Sequence, residues 1–389
     1  MNKIIYLLGT IIFSFCQWFT ILVISNQGGN DMVGKYSLYI AIISFIAIFF
    51  NLGLRNYIPS DVDRKFENNS YLNLKIFSLS VFFIFGALIS LVCDNSLLFF
   101  SILLVKFCDS ISDFVYALFV KNGRAYLFGY SQFLKLLALI LMSFLYFYFG
   151  YRVEFYLISV FLCMLLIVLF FDINNIIQYF KKYKIILNDD CKIITYNSLP
   201  LAISSFIISL SIFVPRYFLD ILFSSEAVAR FTYITYYSIF FSMVVTSVLQ
   251  VRLPKISKDV LNTTNFSYHR SSIIIGGLYS VLIIVFFYVM SNPISSYIYD
   301  IEPYSYLTLL LVSIYTILNL VNSYLNIILV AQSKGKYMMR VYINSLLMLV
   351  VLCYLGSVFL DTNGIYLSIC LSSFIQAFLM LYYLRKEKG

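Results

Sequence analysis

DMVGKYSLYIAIISFIAIFFNLGLRNYIPS (residues 31–60) and EAVARFTYITYYSIFFSMVVTSVLQVRLPK (residues 226–255) align without a gap. Asp31 falls on Glu226, Lys35 on Arg230, Tyr36 on Phe231 and Pro59 on Pro254. A second correspondence sets Lys106-x-x-Asp109-Ser110-x-x-Asp113 against Asn319-x-x-Asn322-Ser323-x-x-Asn326. The chain is written twice, and each copy carries a polar seam through apolar sequence. Internal repeats of this kind build transporters, with the substrate path between the repeats.

Working outward, 61% of the 389 residues are hydrophobic, only 12% are charged, and the mean hydropathy is +0.90. A soluble domain carries about 25% charged residues. The apolar residues come in blocks near the length a helix needs to cross the hydrocarbon core, about 20 residues. Twelve such blocks are read near 4–25, 33–54, 74–93, 97–120, 126–149, 153–178, 194–218, 228–250, 272–291, 304–330, 337–358 and 362–384. The expectation is an all-α integral membrane protein of about twelve transmembrane helices. The polar run Lys181–Lys192 divides it into an N-terminal six-helix lobe (1–180), a cytoplasmic linker (181–192) and a C-terminal six-helix lobe (193–389). An even number of spans per lobe makes the two lobes parallel, related by an axis along the membrane normal.

The net charge of +9 reports topology, not a nucleic-acid partner. Twenty-one of the 27 Lys and Arg fall in the segments on one side of the spans, among them Arg55, Lys75, Lys121, Arg252 and Arg270. Only Lys35, Arg152, Arg216 and Arg230 fall on the other. This bias places both termini in the cytoplasm. Seven cysteines form no C-x-x-C pair, so they read as packing residues, with neither a disulfide framework nor a metal site. The first apolar run continues through Ile24 and reads as an uncleaved span. External loops are short, the longest being about a dozen residues around Asn292–Pro303. His269 lies in an inner loop, and no Ser/His/Asp set or paired catalytic carboxylates outside the membrane emerge, so no enzyme is expected. A membrane-embedded glycan polymerase would need sizeable outer loops, which are absent.

Function must therefore lie among the helices. Lys106, Asp109, Ser110 and Asp113 occupy i, i+3, i+4 and i+7 positions, one face of the fourth span. Each charge at a helix centre costs about 2.5–3.5 kcal/mol on insertion scales, so the stripe must face protein or a water-filled cavity. Counted from the turn at Gly123, Asp113, Lys135 and Asp109 lie at depths of roughly 15, 18 and 21 Å. Lys135 is expected level with the two aspartates and between them. Two readings stay open: a structural ion pair holding the lobe together, and a substrate-facing or ion-coupling site. Asn319, Asn322 and Asn326 in the tenth span read equally as interhelical glue or as a neutral cavity wall. Arg55 and Arg216 offer the planar fork that suits phosphate oxygens. The plainer readings are a positive-inside anchor for Arg55 and an i, i+4 pair with Asp220 for Arg216.

Val33-Gly34-Lys35-Tyr36-Ser37-Leu38, closing in Asn51-Leu52-Gly53-Leu54-Arg55, resembles the opening of Wzx-type polysaccharide flippases of the MOP/MATE-like superfamily. Leu199-Pro200-Leu201-Ala202, Pro215-Arg216-Tyr217-Phe218-Leu219, Phe231-Thr232-Tyr233 and Arg252-Leu253-Pro254 resemble the start of their second half. The family commonly has Asp-Arg where this chain has Pro215-Arg216. The resemblance implies two six-helix lobes around a central cavity, working by alternating access in the bacterial inner membrane. The implied substrate is an undecaprenyl-diphosphate-linked oligosaccharide, carried to the outer leaflet for O-antigen or capsule synthesis. Arg55, Lys106, Lys135 and Arg216 are the candidates for diphosphate contact, with Asn319, Asn322 and Asn326 lining the cavity. Asp109 and Asp113 are the candidates for coupling to H+ or Na+; no other cofactor is expected. Membrane lipids and other glycan-assembly proteins are the implied partners. A drug/cation antiporter or a lipid II flippase of the same superfamily shares the repeat logic.

Overall fold

A computed structural model describes residues 2–61, 66–180, 189–262, 267–331 and 335–386. The linker expected at 181–192 falls largely outside them, as do the side chains of Arg252, Pro254, His269 and Arg270. The regular structure of the described residues is all helical, with no strand among them. The helices are α1 (Asn2–Phe50), α2 (Leu54–Ser60), α3 (Asn68–Ser90), α4 (Ser96–Lys121), α5 (Tyr126–Phe149) and α6 (Val153–Tyr179). There follow α7 (Asp189–Leu222), α8 (Ser225–Asn262), α9 (residues 267–299), α10 (Tyr306–Ala331) and α11 (Gly335–Lys386).

Among the described residues, nine stretches are long and apolar enough to cross a membrane. Two of them, Ile4–Phe50 and Tyr337–Arg385, are of double length. α1 is broken at Gly29 (φ 70°, ψ 178°) and α11 at Leu360 and Asp361 (φ 49° at Asp361), so each contributes two spans. α4 falls short on composition alone, since every 18-residue window of it contains Lys106, Asp109 and Asp113. Counting the broken helices twice and adding α4 gives the twelve spans expected. Phe144, Phe170, Leu278 and Phe378 project from helix faces, as lipid-facing side chains must.

Two compact units emerge: residues 1–29 with 35–213, and residues 30–34 with 214–389. α7 is continuous across the division at Phe213 and Val214. In unit 1 the core gathers Leu54 and Ile58 of α2, Tyr71 and Leu74 of α3, Phe114–Phe119 of α4, Leu127 and Phe128 of α5 and Ile176 of α6. Leu54 and Ile58, one turn apart, turn the short α2 onto α4. In unit 2, α10 packs on α8 and α11.

Three differences from the sequence reading have local causes. The second span ends at Phe50 rather than Leu54, because Leu52 (φ 53°) and Gly53 (φ 63°) take left-handed backbone before α2 restarts. The stretch 292–299, expected in a loop, stays helical to Tyr299, and Asp300 (φ 49°) ends it. Lys75 sits within α3 instead of on the inner flank, because that helix begins at Asn68. Cys93, in the turn after α3, has its thiol pushed up by burial and by Asp94, which keeps it protonated and unreactive.

The halves of α11 meet backbone to backbone. A Cβ on Gly364 would lie 1.9 Å from the Gly356 carbonyl oxygen. Ser368 Oγ donates to the Leu352 oxygen at 2.7 Å across the same contact. Gly364→Ala is expected to destabilise the protein by about 1–3 kcal/mol through overpacking. Gly276→Ala, whose Cβ would meet nothing within 4 Å, is the control. Equal unfolding midpoints for the two variants in detergent would refute the close contact.

Candidate functional site

The register of α4 is fixed at both ends. Asn95 caps its start, its Oδ1 accepting from the Leu98 N–H at 3.1 Å. At the far end Gly123 (φ 73°) donates to the Val120 oxygen at 3.1 Å and Arg124 N–H to the Phe119 oxygen at 2.8 Å, a Schellman closure. Between these ends the Lys106/Asp109/Ser110/Asp113 face is presented to α1, α2 and α3, and Ser112 and Tyr116 to α5 and α6.

The charges on and around α4 sort into five clusters, all within unit 1. Arg55 Nη1, in the first turn of α2, meets Asp113 Oδ1 at 2.8 Å, with side-chain exposures of 46% and 29%. Lys106 Nζ meets Asp109 Oδ2 at 3.5 Å on the same helix. Lys135 of α5 is 3% exposed and donates to Ser112 Oγ at 2.7 Å, with its ammonium 5.4 Å from the Tyr116 ring centre. Ser112 in turn donates to Asp172 Oδ2 at 3.2 Å, and Asp172 is fully buried in a π-helical turn of α6 (residues 168–173). Gln132 donates to the Tyr116 hydroxyl at 3.1 Å, which shares a hydrogen bond with Ser131 Oγ at 2.8 Å. Lys135 therefore does not bridge Asp109 and Asp113 as depth counting suggested; among the described residues it lies within 4 Å of neither. Depth along the helices was not the deciding quantity, because the azimuth of Lys135 turns it toward Ser112 and α6.

Two members of this network escaped the sequence reading. Asp172 was absorbed into an apolar run, Phe170-Phe171-Asp172-Ile173, although the rule that singled out Asp109 applies equally to it. Lys75 is 3% exposed, and its ammonium donates to Asn51 Oδ1 and, at 2.9 Å, to Ser110 Oγ; Ser110 also donates to Asn51 Oδ1. At the end of α4, Lys121 Nζ meets Asp61 Oδ2 at 2.9 Å, and the Tyr71 hydroxyl donates to the same oxygen at 3.0 Å. That buried clamp ties the end of α2 to α3 and α4, and with Leu54 and Ile58 it holds Arg55 in place.

Lys106, Asp109 and Lys135 also share a cavity of about 50 Å³ with Gln17, Thr20 and Gln132. A water molecule needs ~10–15 Å³ by the same measure, so this space takes a few waters or a small cation but no sugar phosphate. No cluster of three metal-ligating side chains occurs among the described residues.

Unit 2 holds the remaining candidates. Arg216 is 4% exposed, and its Nε is buried without a hydrogen-bond partner. Among the described residues no carboxylate lies within 4 Å of it, so the expected Asp220 pair does not form; Tyr236 and Tyr315 are its titratable neighbours. Asn322 Nδ2 donates to the Ser373 oxygen at 3.0 Å and Ser373 Oγ to Asn319 Oδ1 at 3.5 Å, stitching α10 to α11. Asn322 Oδ1 and Asn326 Oδ1 are buried without partners. The amide stripe is thus partly glue and partly unspent hydrogen-bonding capacity.

The comparisons with known proteins agree on the class. An inward-facing multidrug-resistance MATE family transporter of the MOP superfamily matches with a TM-score of 0.70 at 14% identity, covering 99% of this chain and 94% of that one. The lipid II flippase MurJ in its inward closed conformation gives a TM-score of 0.70 at 13% identity, covering 98% and 88%. The chain is a multi-span membrane protein with the MOP-superfamily fold. Its sequence is 26% identical over 292 residues to the capsular polysaccharide biosynthesis protein CapF of Staphylococcus aureus, spanning 71% of this chain and 72% of that protein. No protein-family model matches. Fold and relative together bear out the resemblance to Wzx-type flippases.

Proposed function

We propose that the protein is a flippase that carries an undecaprenyl-diphosphate-linked oligosaccharide from the cytoplasmic to the outer leaflet for surface polysaccharide assembly, transporting rather than catalysing. The observation that carries this reading is the buried Arg216 of unit 2, whose Nε has no hydrogen-bond partner and which has no carboxylate within 4 Å among the described residues. In unit 1, Arg55 adds a half-exposed guanidinium. A buried guanidinium without a carboxylate is costly unless an anion visits it. A carrier of cationic drugs gains nothing from an unpaired buried guanidinium, so Arg216 favours an anionic cargo over a cationic drug. Likeness to a capsular polysaccharide protein and to a lipid II flippase supports a lipid-linked saccharide in kind.

On this reading Arg55 is the diphosphate contact of unit 1, with Lys106 and Lys135 adding positive potential; within unit 2, Arg216 is a further cation for an anionic group and the Asn319/Asn322/Asn326 stripe carries unspent acceptors at Asn322 and Asn326 suited to sugar hydroxyls. Asp109, in a cavity of ion size, takes the coupling H+ or Na+. The membrane is the bacterial plasma membrane, with both termini cytoplasmic. Deleting the protein is expected to accumulate lipid-linked repeat units on the inner leaflet, and Asp109→Asn at normal expression to reduce surface glycan at least tenfold. Unchanged glycan display in Asp109→Asn would remove that residue from the mechanism. Normal outer-leaflet delivery in the deletion strain would end the flippase reading.

A further inference from the structure

Lys75, as deeply buried as Lys135 at 3% exposure, meets only neutral acceptors. Asn51 Oδ1 and Ser110 Oγ hold its ammonium, and among the described residues no carboxylate lies within 4 Å of it. One turn along α4 from Ser110 stands Asp113, whose field reaches Lys75 and whose carboxylate is engaged by Arg55 at 2.8 Å. Arg55 is 46% exposed, so an anion can approach it. The acceptor Asn51 sits at the break between α1 and α2, where Leu52 (φ 53°) and Gly53 (φ 63°) reverse the backbone.

We infer that Asp113 is handed from Arg55 to Lys75 when an anionic headgroup takes Arg55, and that this hand-off releases Asn51 at the α1–α2 break. The inference rests on the anionic-cargo reading above. A diphosphate on Arg55 competes directly with Asp113 for the same guanidinium. Displaced, Asp113 would be an unpaired carboxylate inside the helices unless it finds another cation. Lys75 is held at Ser110, one helical turn from Asp113 on α4, and has no carboxylate within 4 Å to give up among the described residues. Its swing to Asp113 breaks the hydrogen bonds to Asn51 and Ser110, and Asn51 is the residue next to the left-handed pair. Occupancy of Arg55 is thereby transmitted to the joint on which Arg55 rides. Lys75 acts here as a positioning residue that need never touch the cargo.

The test is binding of undecaprenyl diphosphate to the full chain in phosphatidylcholine nanodiscs, read by native mass spectrometry, with inorganic pyrophosphate as the headgroup-only arm. Lys75→Gln keeps a side chain able to hydrogen-bond Asn51 and Ser110, and is expected to weaken binding about tenfold (~1.4 kcal/mol). Asp113→Asn frees Arg55 and is expected to tighten binding about tenfold. In the double variant Lys75→Gln/Asp113→Asn the Lys75 effect is expected to vanish, leaving the affinity of Asp113→Asn alone. Ser110→Ala, which weakens the resting hold on Lys75, should tighten binding, a sign that a purely structural Lys75 would not produce. A Lys75→Gln loss that persists unchanged beside Asp113→Asn overturns the hand-off in favour of direct or structural action. The same pattern with pyrophosphate supports it and assigns the trigger to the diphosphate alone. Failure of the cargo reading looks different: Arg55→Ala would then leave binding of both probes unchanged.

Discussion

Lys135→Ala is expected to remove most of the folded protein from the membrane, a loss of about 3–5 kcal/mol from breaking a buried ionic network on one side. Lys135 reaches Asp172 through Ser112, and Asp172 is fully buried with Oδ1 already lacking a partner. Without the ammonium, the carboxylate must take up a proton or drag in water. The same network joins α4, α5 and α6 through Ser112, Tyr116, Ser131 and Gln132, so its loss loosens the interface that fixes the α4 stripe. Fluorescence-detected size-exclusion after a temperature ramp measures the effect. Asp172→Asn in the same chain should restore much of the midpoint, because it removes the orphaned charge. A double variant no better than Lys135→Ala would show that Lys135 and Asp172 do not depend on each other.

Arg55→Ala is expected to abolish surface glycan while leaving the protein folded and at normal abundance. Arg55 is half exposed and α2 keeps its anchors Leu54, Ile58 and the Asp61–Lys121 pair, so little stability rests on the guanidinium. Functionally it is the most accessible cation of the unit 1 clusters, and its fork cannot be copied by a single ammonium. Arg55→Lys should therefore recover only part of the display. Immunodetection of surface glycan beside a blot for the tagged protein separates the two effects. Full display by Arg55→Ala would exclude it from cargo contact, and lost abundance would move its role to folding.

The spans were legible because hydrocarbon tolerates so few polar groups that their absence alone marks a helix, even where α1 and α11 run on through a kink. The α4 stripe was legible for the same reason. What could not be read was azimuth. Asp113 and Lys135 share a depth, yet one faces Arg55 of α2 and the other faces Ser112 and α6, a choice made by packing between helices distant in sequence. Lys75 was misread because polar residues precede it, and start-of-helix position is weakly encoded when Asn68, Asn69, Ser70 and Asn73 lie within the first turns. Arg216 was judged by its neighbour Asp220, but a buried guanidinium beside two tyrosines follows from tertiary placement. The duplicated frame was visible in residues 31–60 and 226–255, as was glue as one reading of the second stripe; that Ser373 of α11 is what Asn319 and Asn322 hold was not.

The charge that disqualifies α4 from the apolar count has a consequence for synthesis. A segment with Lys106, Asp109 and Asp113 together partitions poorly from the translocon on its own, at about 2.5–3.5 kcal/mol per central charge. Arg55 and Lys75 have already emerged when α4 is made, but Lys135 and Asp172 have not. Ser112 reaches Asp172 only once residue 172 has left the ribosome, which at ~5–20 residues per second is roughly 3–12 s after Asp113. During that interval the nascent helix must be sheltered by α1–α3 or by the insertion machinery. The hydrophilic face of the finished α4 thus makes this fourth segment a slow, assisted passenger into the bilayer.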